Sequence, residues 1–125
     1  MIRVLVVDDQ PRVRQGLRMR LTLESDIRVI GEANNGAEAI VRAQLIHPDV
    51  IVMDVEMPGI DGIQAAEALR GLTPRIAVVV LSIHDDAPTR ARAFAAGAKA
   101  FVGKHRADDT LIQAVRQAAL PSRAC

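Results

Sequence analysis

The stretch that decides the fold is DVIVMDVEMPGIDG, residues 49–62. Residues 49–53 predict a strand, and their largely apolar character is typical of a parallel strand covered on both faces by helices. Asp54 follows this strand directly. Pro58-Gly59 and Asp61-Gly62 then mark a loop. The stretch therefore predicts a buried strand that ends at a carboxylate and continues through a loop into a helix.

Outward from this strand, apolar runs alternate with amphipathic segments along the chain. Strands are predicted at residues 2–7, 27–33, 49–53, 76–81 and 99–103. Helices are predicted at residues 11–24, 37–46, 63–70, 88–96 and 108–119. Because connections between successive parallel strands are right-handed, five such units predict an α/β fold with a doubly wound, open, five-stranded parallel sheet.

The composition excludes several classes of protein. The 125 residues are 50% hydrophobic, which excludes a disordered chain and fits one domain. No apolar run approaches the roughly 20 residues needed to cross a bilayer, so no membrane partner is expected. The N-terminal run meets Asp8 too early for a secretory signal. The single cysteine, Cys125, allows no internal disulfide, so we expect a cytoplasmic protein. A net charge of +1 disfavours direct nucleic-acid binding.

Five polar residues stand at the carboxyl ends of four predicted strands, the edge where open parallel sheets bind ligands. They are Asp8, Asp9, Asp54, Ser82 and Lys104. Three converging carboxylates repel one another and need a cation. Oxygen ligands without a nearby histidine or cysteine favour Mg²⁺, or alternatively Mn²⁺. A lysine and a hydroxyl beside such an ion can hold phosphoryl oxygens.

The same set of residues also excludes some kinds of ligand site and indicates the kind of nucleophile. It contains no positioned histidine or cysteine base, and no glycine-rich loop follows the first strand, which argues against a dinucleotide site or a P-loop. The simplest remaining nucleophile is a carboxylate, since aspartyl-phosphate formation is an established route of covalent catalysis. One polar residue after a strand could equally be an ordinary loop residue. The convergence of five is what predicts a site.

Several segments together resemble the receiver domain of two-component response regulators over essentially the whole chain. They are residues 6–10, residues 52–62, Leu81-Ser82, Ala96-Gly97-Ala98, Phe101 and Lys104. Residues 29–33 together with Met57-Pro58-Gly59 are most similar to the NarL/FixJ type, which usually carries a LuxR-type helix-turn-helix output domain. The resemblance implies a flavodoxin-like receiver over residues 1–120, with residues 121–125 as a tail or the start of a linker.

The resemblance implies a chemical role for each acidic residue. Asp54 would be the phosphoacceptor. Mg²⁺ would bind the side chains of Asp9 and Asp54 and the backbone carbonyl of Glu56, with Asp8 acting through the metal's water shell. The phosphoryl group would come from a sensor histidine kinase or from a small donor such as acetyl phosphate. The domain would assist its own phosphorylation and dephosphorylation without being a conventional enzyme.

The resemblance also implies a switch. Lys104 would pair with the phosphoryl group, Ser82 would hydrogen-bond it, and Phe101 would turn inward when Ser82 moves. The output surface would be the fourth helix, the fifth strand and the fifth helix. A homodimer could form through that surface or through the first and fifth helices. The implied function is transcription regulation through a DNA-binding domain that this chain does not include, with no nucleic acid bound by the receiver itself.

Three alternatives stay open from the sequence. The chain could be a stand-alone regulator that acts by protein–protein contact. It could be an unphosphorylated pseudo-receiver that serves as an interaction module. It could also be a hydrolase with an aspartyl intermediate, for which Glu56, two residues after Asp54, would be the general acid or base.

Some positions depart from the common receiver pattern or lack an assigned role. Ile83 stands where the family usually has a small residue, so it is expected either to crowd access to the phosphoryl group or to pack against the fourth helix. His105 stands where many receivers have proline, and Glu56 occupies a variable position where hydrolysis is tuned. The arginines of the first helix predict a solvated face or, alternatively, a kinase-docking surface: Arg12, Arg14, Arg18 and Arg20.

Overall fold

The computed structural model of the protein describes residues 1–104 and 109–120. Strands and helices alternate along this part of the chain. The strands are β1 (Ile2–Val7), β2 (Ile27–Ala33), β3 (Val50–Asp54), β4 (Ala77–Ser82) and β5 (Ala100–Gly103). The helices are α1 (Pro11–Thr22), α2 (Gly36–Ile46), α3 (Gly62–Leu72), α4 (Ala87–Ala95) and α5 (Asp109–Ala119).

All five strands are parallel and form one sheet in the order β2-β1-β3-β4-β5. This confirms the predicted doubly wound α/β fold. The strand order reverses between β1 and β3, and such a switch point is where open sheets bind ligands. The register pairs Val7 with Met53, Asp54 with Leu81, and Ser82 with Gly103. The strands therefore deliver their last residues to one edge at nearly the same level.

The two faces of the sheet carry separate hydrophobic cores. Because side chains alternate along a strand, Leu5 and Met53 face α2, α3 and α4, whereas Val6 and Val52 face α1 and α5. All four side chains are fully buried, and each stabilises the fold by roughly 1.5–3 kcal/mol. Helices on both faces explain why these strands are continuously apolar. No helix in the described part of the chain is long and apolar enough to cross a membrane.

The predicted boundaries agree with the structure to within about two residues. The helix predicted to reach residue 24 ends at Thr22, because the N–H groups of Leu23 and Glu24 bond back to Arg20 and Leu21 in a tighter turn. Asp54, predicted to follow the third strand, is its last residue. The predicted start of the last helix, residue 108, lies outside the described residues.

The start of α3 is fixed by two local features that hold the preceding loop over the end of β3. Asp61 and Gln64 form a reciprocal capping box, with hydrogen bonds of 2.8 and 3.0 Å. Gly62 lies so close to β3 that a Cβ atom there would be 2.1 Å from the carbonyl oxygen of Asp54. The first turn of α3 can therefore reach β3 only because residue 62 has no side chain.

We expect Gly62→Ala to destabilise the protein by about 1–3 kcal/mol, the usual cost of overpacking a tight site. Gly16→Ala is the matched control, since a Cβ atom at that position in α1 meets nothing within 4 Å. The control should be more stable than the wild type by about 0.5–1 kcal/mol, because alanine loses less entropy than glycine in a helix. Urea unfolding of both variants measures these changes, and equal effects would contradict the argument.

Candidate functional site

Three carboxylates meet at the switch point of the sheet. Asp8 and Asp9 follow β1, Asp54 ends β3, and one oxygen from each lies within 4.8 Å of the others. Asp8 is 0% exposed and Asp54 is 2% exposed, whereas Asp9 is partly exposed. The structure thus brings together the acidic residues predicted from the sequence, and two of them are almost entirely removed from water.

Lys104 partly compensates this negative charge. Its ammonium lies 3.1 Å from Asp8 Oδ2 and 3.2 Å from Asp54 Oδ2, so it bridges two carboxylates from different strands. Burial lowers the pKa of Lys104, but its hydrogen bond with Asp8 and the charge of Asp54 raise it further, and the net pKa lies above its ordinary value. The lysine therefore stays charged at neutral pH.

The carboxyl group of Asp54 has a pKa well above its ordinary value. Burial raises its pKa to about 7, the charges of Asp8 and Glu56 act in the same direction, and Lys104 opposes them. Lys104 contacts Oδ2 of Asp54, and within the described residues the buried Oδ1 has no hydrogen-bond partner. A buried oxygen without a partner costs free energy, so this atom is suited to a ligand.

The donor set fits Mg²⁺. Its side-chain ligand atoms are all carboxylate oxygens, the type that hard divalent ions prefer, and one oxygen from each residue lies within 4.8 Å of the others. Asp9, the exposed member, also lines a groove of about 470 Å³ that opens the site to solvent. The other residues of this groove are Asn34, Asn35, Ala37, Pro58, Gly59 and Ile60.

Ser82, predicted to contact a phosphoryl group, is fully buried and takes part in a different network. Its hydroxyl donates a 2.9 Å hydrogen bond to Glu56 Oε1 and accepts one of 2.9 Å from the backbone N–H of His84. The His84 ring lies 3.9 Å from the same Glu56 oxygen. The sequence analysis assigned Glu56 a role through its backbone carbonyl, and this side-chain contact was missed. No local pattern reveals it, because it joins the end of β4 to the loop after β3, which meet only in the fold.

Phe101 is already buried in this structure, while Ser82 remains bonded to Glu56. The guanidinium of Arg90 lies over the Phe101 ring, 5.1 Å from its centroid, which is the geometry of a cation–π contact. Arg90 also forms a 2.7 Å ion pair with Asp85 in the loop before α4. The switch aromatic predicted from the sequence is therefore covered by a cation that is tied to the loop following Ser82.

Two expectations about other residues change with the structure. Ile83 is 62% exposed, so the alternative in which it packs as a buried residue against α4 is wrong, and crowding of the site remains the prediction. The solvated face predicted for α1 is wrong for Arg14, whose side chain is only 18% exposed and forms an ion pair with Glu32. His105 lies outside the described residues.

Comparisons with known proteins identify the family to which this chain belongs. The sequence matches the response regulator receiver domain family over residues 4–116, and the chain belongs to that family. Among curated relatives, response regulator GacA of Pseudomonas viridiflava is 39% identical over 116 residues, which cover 93% of this chain and 54% of GacA. The chain spans about half the length of the curated relatives it matches.

Solved structures agree with this assignment. A LuxR-family two-component response regulator from Aurantimonas sp. SI85-9A1 superposes with a TM-score of 0.92 at 30% identity, covering 95% of this chain and 85% of that chain. The response regulator domain of Thermotoga maritima CheB gives a TM-score of 0.91 at 32% identity, covering 98% of each chain. The resemblance to response-regulator receivers with LuxR-type relatives is confirmed.

The raised pKa of Asp54 predicts how stability depends on pH without metal. An aspartate in an unfolded chain has a pKa of about 3.9, so the folded state binds this proton more tightly. The stabilisation is present below about pH 4 and is lost as pH rises through about 7. In EDTA, Asp54→Asn should therefore gain stability over the wild type, by about 1–3 kcal/mol at pH 8, and less at pH 5.

Chemical unfolding at the two pH values measures this difference. Glu67→Gln, at an exposed site on α3, is the control and should change stability little at either pH. A gain for Asp54→Asn that is the same at pH 5 and pH 8 would contradict the assigned direction of the pKa.

Proposed function

We propose that this protein is the receiver of a two-component response regulator that accepts a phosphoryl group on Asp54 in a Mg²⁺-dependent reaction. The observation that carries the proposal is the arrangement of the two Asp54 oxygens. Lys104 holds Oδ2, while Oδ1 is buried without a partner among the described residues. One oxygen is fixed and the other is left available, which suits a carboxylate nucleophile.

The proposed reaction is an in-line displacement at phosphorus. Oδ1 of Asp54 attacks the phosphorus atom, a new O–P bond forms, and the bond to the donor breaks with its electron pair going to the leaving group. Catalysis of this step consists mainly of positioning and charge stabilisation. Lys104 already lies beside the Asp54 carboxylate and would move to an oxygen of the transferred phosphoryl group.

The acidic residues would hold the metal ion. Asp9, Asp54 and the backbone carbonyl of Glu56 would bind Mg²⁺ directly, and Asp8 would act through the metal's water shell. When bound, Mg²⁺ neutralises negative charge on the carboxylates and on the phosphoryl oxygens. Mn²⁺ has similar ligand preferences and would serve as a substitute.

Switching would require Ser82 to change partners. Its hydroxyl proton is donated to Glu56 in this structure, and a phosphoryl group on Asp54 would compete for that same proton with a larger negative charge. Movement of Ser82 would displace the loop that carries His84 and Asp85. Because Asp85 holds Arg90 over Phe101, that displacement would reach the α4–β5–α5 surface, which we propose as the output surface.

The proposed partners follow from the receiver assignment. Receiver domains pair with histidine kinases, and α1 begins two residues after Asp9. Its exposed residues include Arg12, Gln15, Arg18 and Met19, a mixed basic, polar and apolar face that would serve as the kinase-docking surface. A homodimer would use the α4–β5–α5 surface or α1 with α5.

The proposed domain comprises residues 1–120, and residues 121–125, which lie outside the described part, would be a tail or begin a linker. The LuxR-family relative supports transcription regulation through a DNA-binding domain as the output. A stand-alone regulator acting by protein–protein contact would use the same receiver chemistry.

The decisive experiment is the intact mass of the protein after incubation with acetyl phosphate and Mg²⁺. The wild type should gain one phosphoryl group, and Asp54→Asn should gain none. Asp49→Asn, a change at the opposite end of β3, is the control and should be labelled like the wild type. Equal labelling of wild type and Asp54→Asn would exclude Asp54 as the acceptor, and no labelling of the wild type would favour a pseudo-receiver.

The role of Lys104 gives a second test. Lys104→Ala keeps the nucleophile and the acidic ligands, so it should still accept some phosphoryl group, but the link from that group to β5 is removed. Amide hydrogen exchange over residues 84–104 should respond to phosphorylation in the wild type and lose most of that response in the variant. The control is Lys99→Ala, at an exposed site, which should respond normally. A full response in Lys104→Ala would remove this lysine from the switch.

A further inference from the structure

We infer that Arg14 is a positioning residue for the acidic site, because it holds the peptide that carries Asp9. This inference rests on the proposed Mg²⁺ site. It assigns a role in cation binding to a residue that is itself a cation and that touches neither the proposed metal position nor the phosphoryl group.

The contact lies on the backbone between the two acidic residues. Arg14 Nη1 donates a 2.7 Å hydrogen bond to the carbonyl oxygen of Asp8, and this carbonyl belongs to the peptide that links Asp8 to Asp9. The guanidinium is also anchored, because its Nε lies 3.2 Å from Glu32 Oε1. Glu32 belongs to β2 and is paired with Val6 of β1. Arg14 therefore ties α1, β2 and the end of β1 together.

Among the described residues, the carbonyl of this peptide has one donor, Arg14, and the turn has one other local restraint, a 2.9 Å hydrogen bond from the Gln10 N–H to Asp8 Oδ1. β1 ends at Val7, and the N–H of Asp8 still bonds the carbonyl of Ala33 at 3.1 Å. Past that point the chain leaves the sheet, and within residues 1–104 and 109–120 no other donor reaches the Asp8 carbonyl. The direction of this peptide sets where the Asp9 carboxylate lies. A hydrogen bond from a charged donor is stronger than one between neutral groups, so it can fix that direction.

Burial distinguishes Arg14 from its neighbour on the same helix. The Arg14 side chain is 18% exposed, whereas Arg18, which binds the other oxygen of Glu32 at 2.5 Å, is 55% exposed. Arg18 shares the same carboxylate partner but forms no contact with Asp8 in the described residues. Arg18 is therefore a matched control that removes one positive charge without removing the bond to the backbone.

The positive charge of Arg14 and its proposed positioning of Asp9 would change Mg²⁺ affinity in opposite directions. By Coulomb's law, a cation near the site repels Mg²⁺, so removal of its charge alone should tighten binding. If Arg14 positions Asp9, its removal should weaken binding. Loss of a group that orients a metal ligand typically costs about 10–100-fold in affinity, which exceeds the effect of one partly screened charge.

The test is calorimetric titration of the metal-free protein with Mg²⁺ at pH 7.5. Arg14→Gln should bind Mg²⁺ about tenfold more weakly than the wild type. Arg14→Lys keeps the charge but cannot reach both Asp8 and Glu32 with a forked group, so its affinity should be intermediate. Arg18→Gln should bind as tightly as the wild type or slightly more tightly. Unchanged or tighter binding in Arg14→Gln would overturn the inference.

Unfolding in EDTA separates positioning from a general loss of structure. A merely structural role would lower the stability of Arg14→Gln and leave the Mg²⁺ affinity of the folded protein at its wild-type value, which would also overturn the inference. If Arg14→Gln does not fold, weaker binding by Arg14→Lys supports the inference and wild-type binding overturns it. If the wild type does not bind Mg²⁺, both the proposed metal site and this inference are overturned. If the wild type binds Mg²⁺ and the Arg14 variants bind it equally well, only this inference is overturned and the proposed function stands.

Discussion

The repulsion among the carboxylates of Asp8, Asp9 and Asp54 is the constraint on which the rest of the site depends. The parallel sheet forces these groups together, because the carboxyl ends of β1 and β3 are neighbours at its switch point. Two of the three are buried, where water cannot screen them. Lys104 supplies one positive charge between Asp8 and Asp54, which leaves the cluster with excess negative charge. A divalent cation bound among these carboxylates would therefore reduce their mutual repulsion.

The hydroxyl of Ser82 is the group that would connect the charge of the acidic site to the surface of the protein. It is a single donor placed between the end of β4 and the loop after β3, and in this structure it serves Glu56. A phosphoryl group on Asp54, as proposed, would offer the Ser82 hydroxyl a more strongly charged acceptor than Glu56. Because a buried hydroxyl must keep a partner, the proposed exchange would move the backbone that carries Ser82. In the proposed switch, the Ser82 hydroxyl proton would therefore link phosphorylation of Asp54 on β3 to the position of the loop between β4 and α4.

The sequence determined the fold and the composition of the site for a clear physical reason. Strand ends can be located from apolar runs and turn residues, and parallel topology then brings Asp8 and Asp54 to one edge. The partners of Glu56, Arg14 and Phe101 could not be predicted in this way. Each depends on where a long side chain reaches across elements distant in sequence, and hydrophobic periodicity carries no information about that direction. Arg14 in particular matched a solvated helical face, although its guanidinium turns back onto the backbone of Asp8, just past β1.

The stacking of Arg90 on Phe101 has a consequence for the character of the surface around α4. With Arg90 in place, held by Asp85, a partner approaching this region meets a guanidinium plane with an aromatic ring beneath it. An acidic group on that partner would compete with Asp85 for Arg90 and draw it away from the ring. The ring of Phe101 would then lose the cation that covers it. The charge of whatever group approaches Arg90 would thus decide whether the aromatic ring of Phe101 keeps its cationic cover.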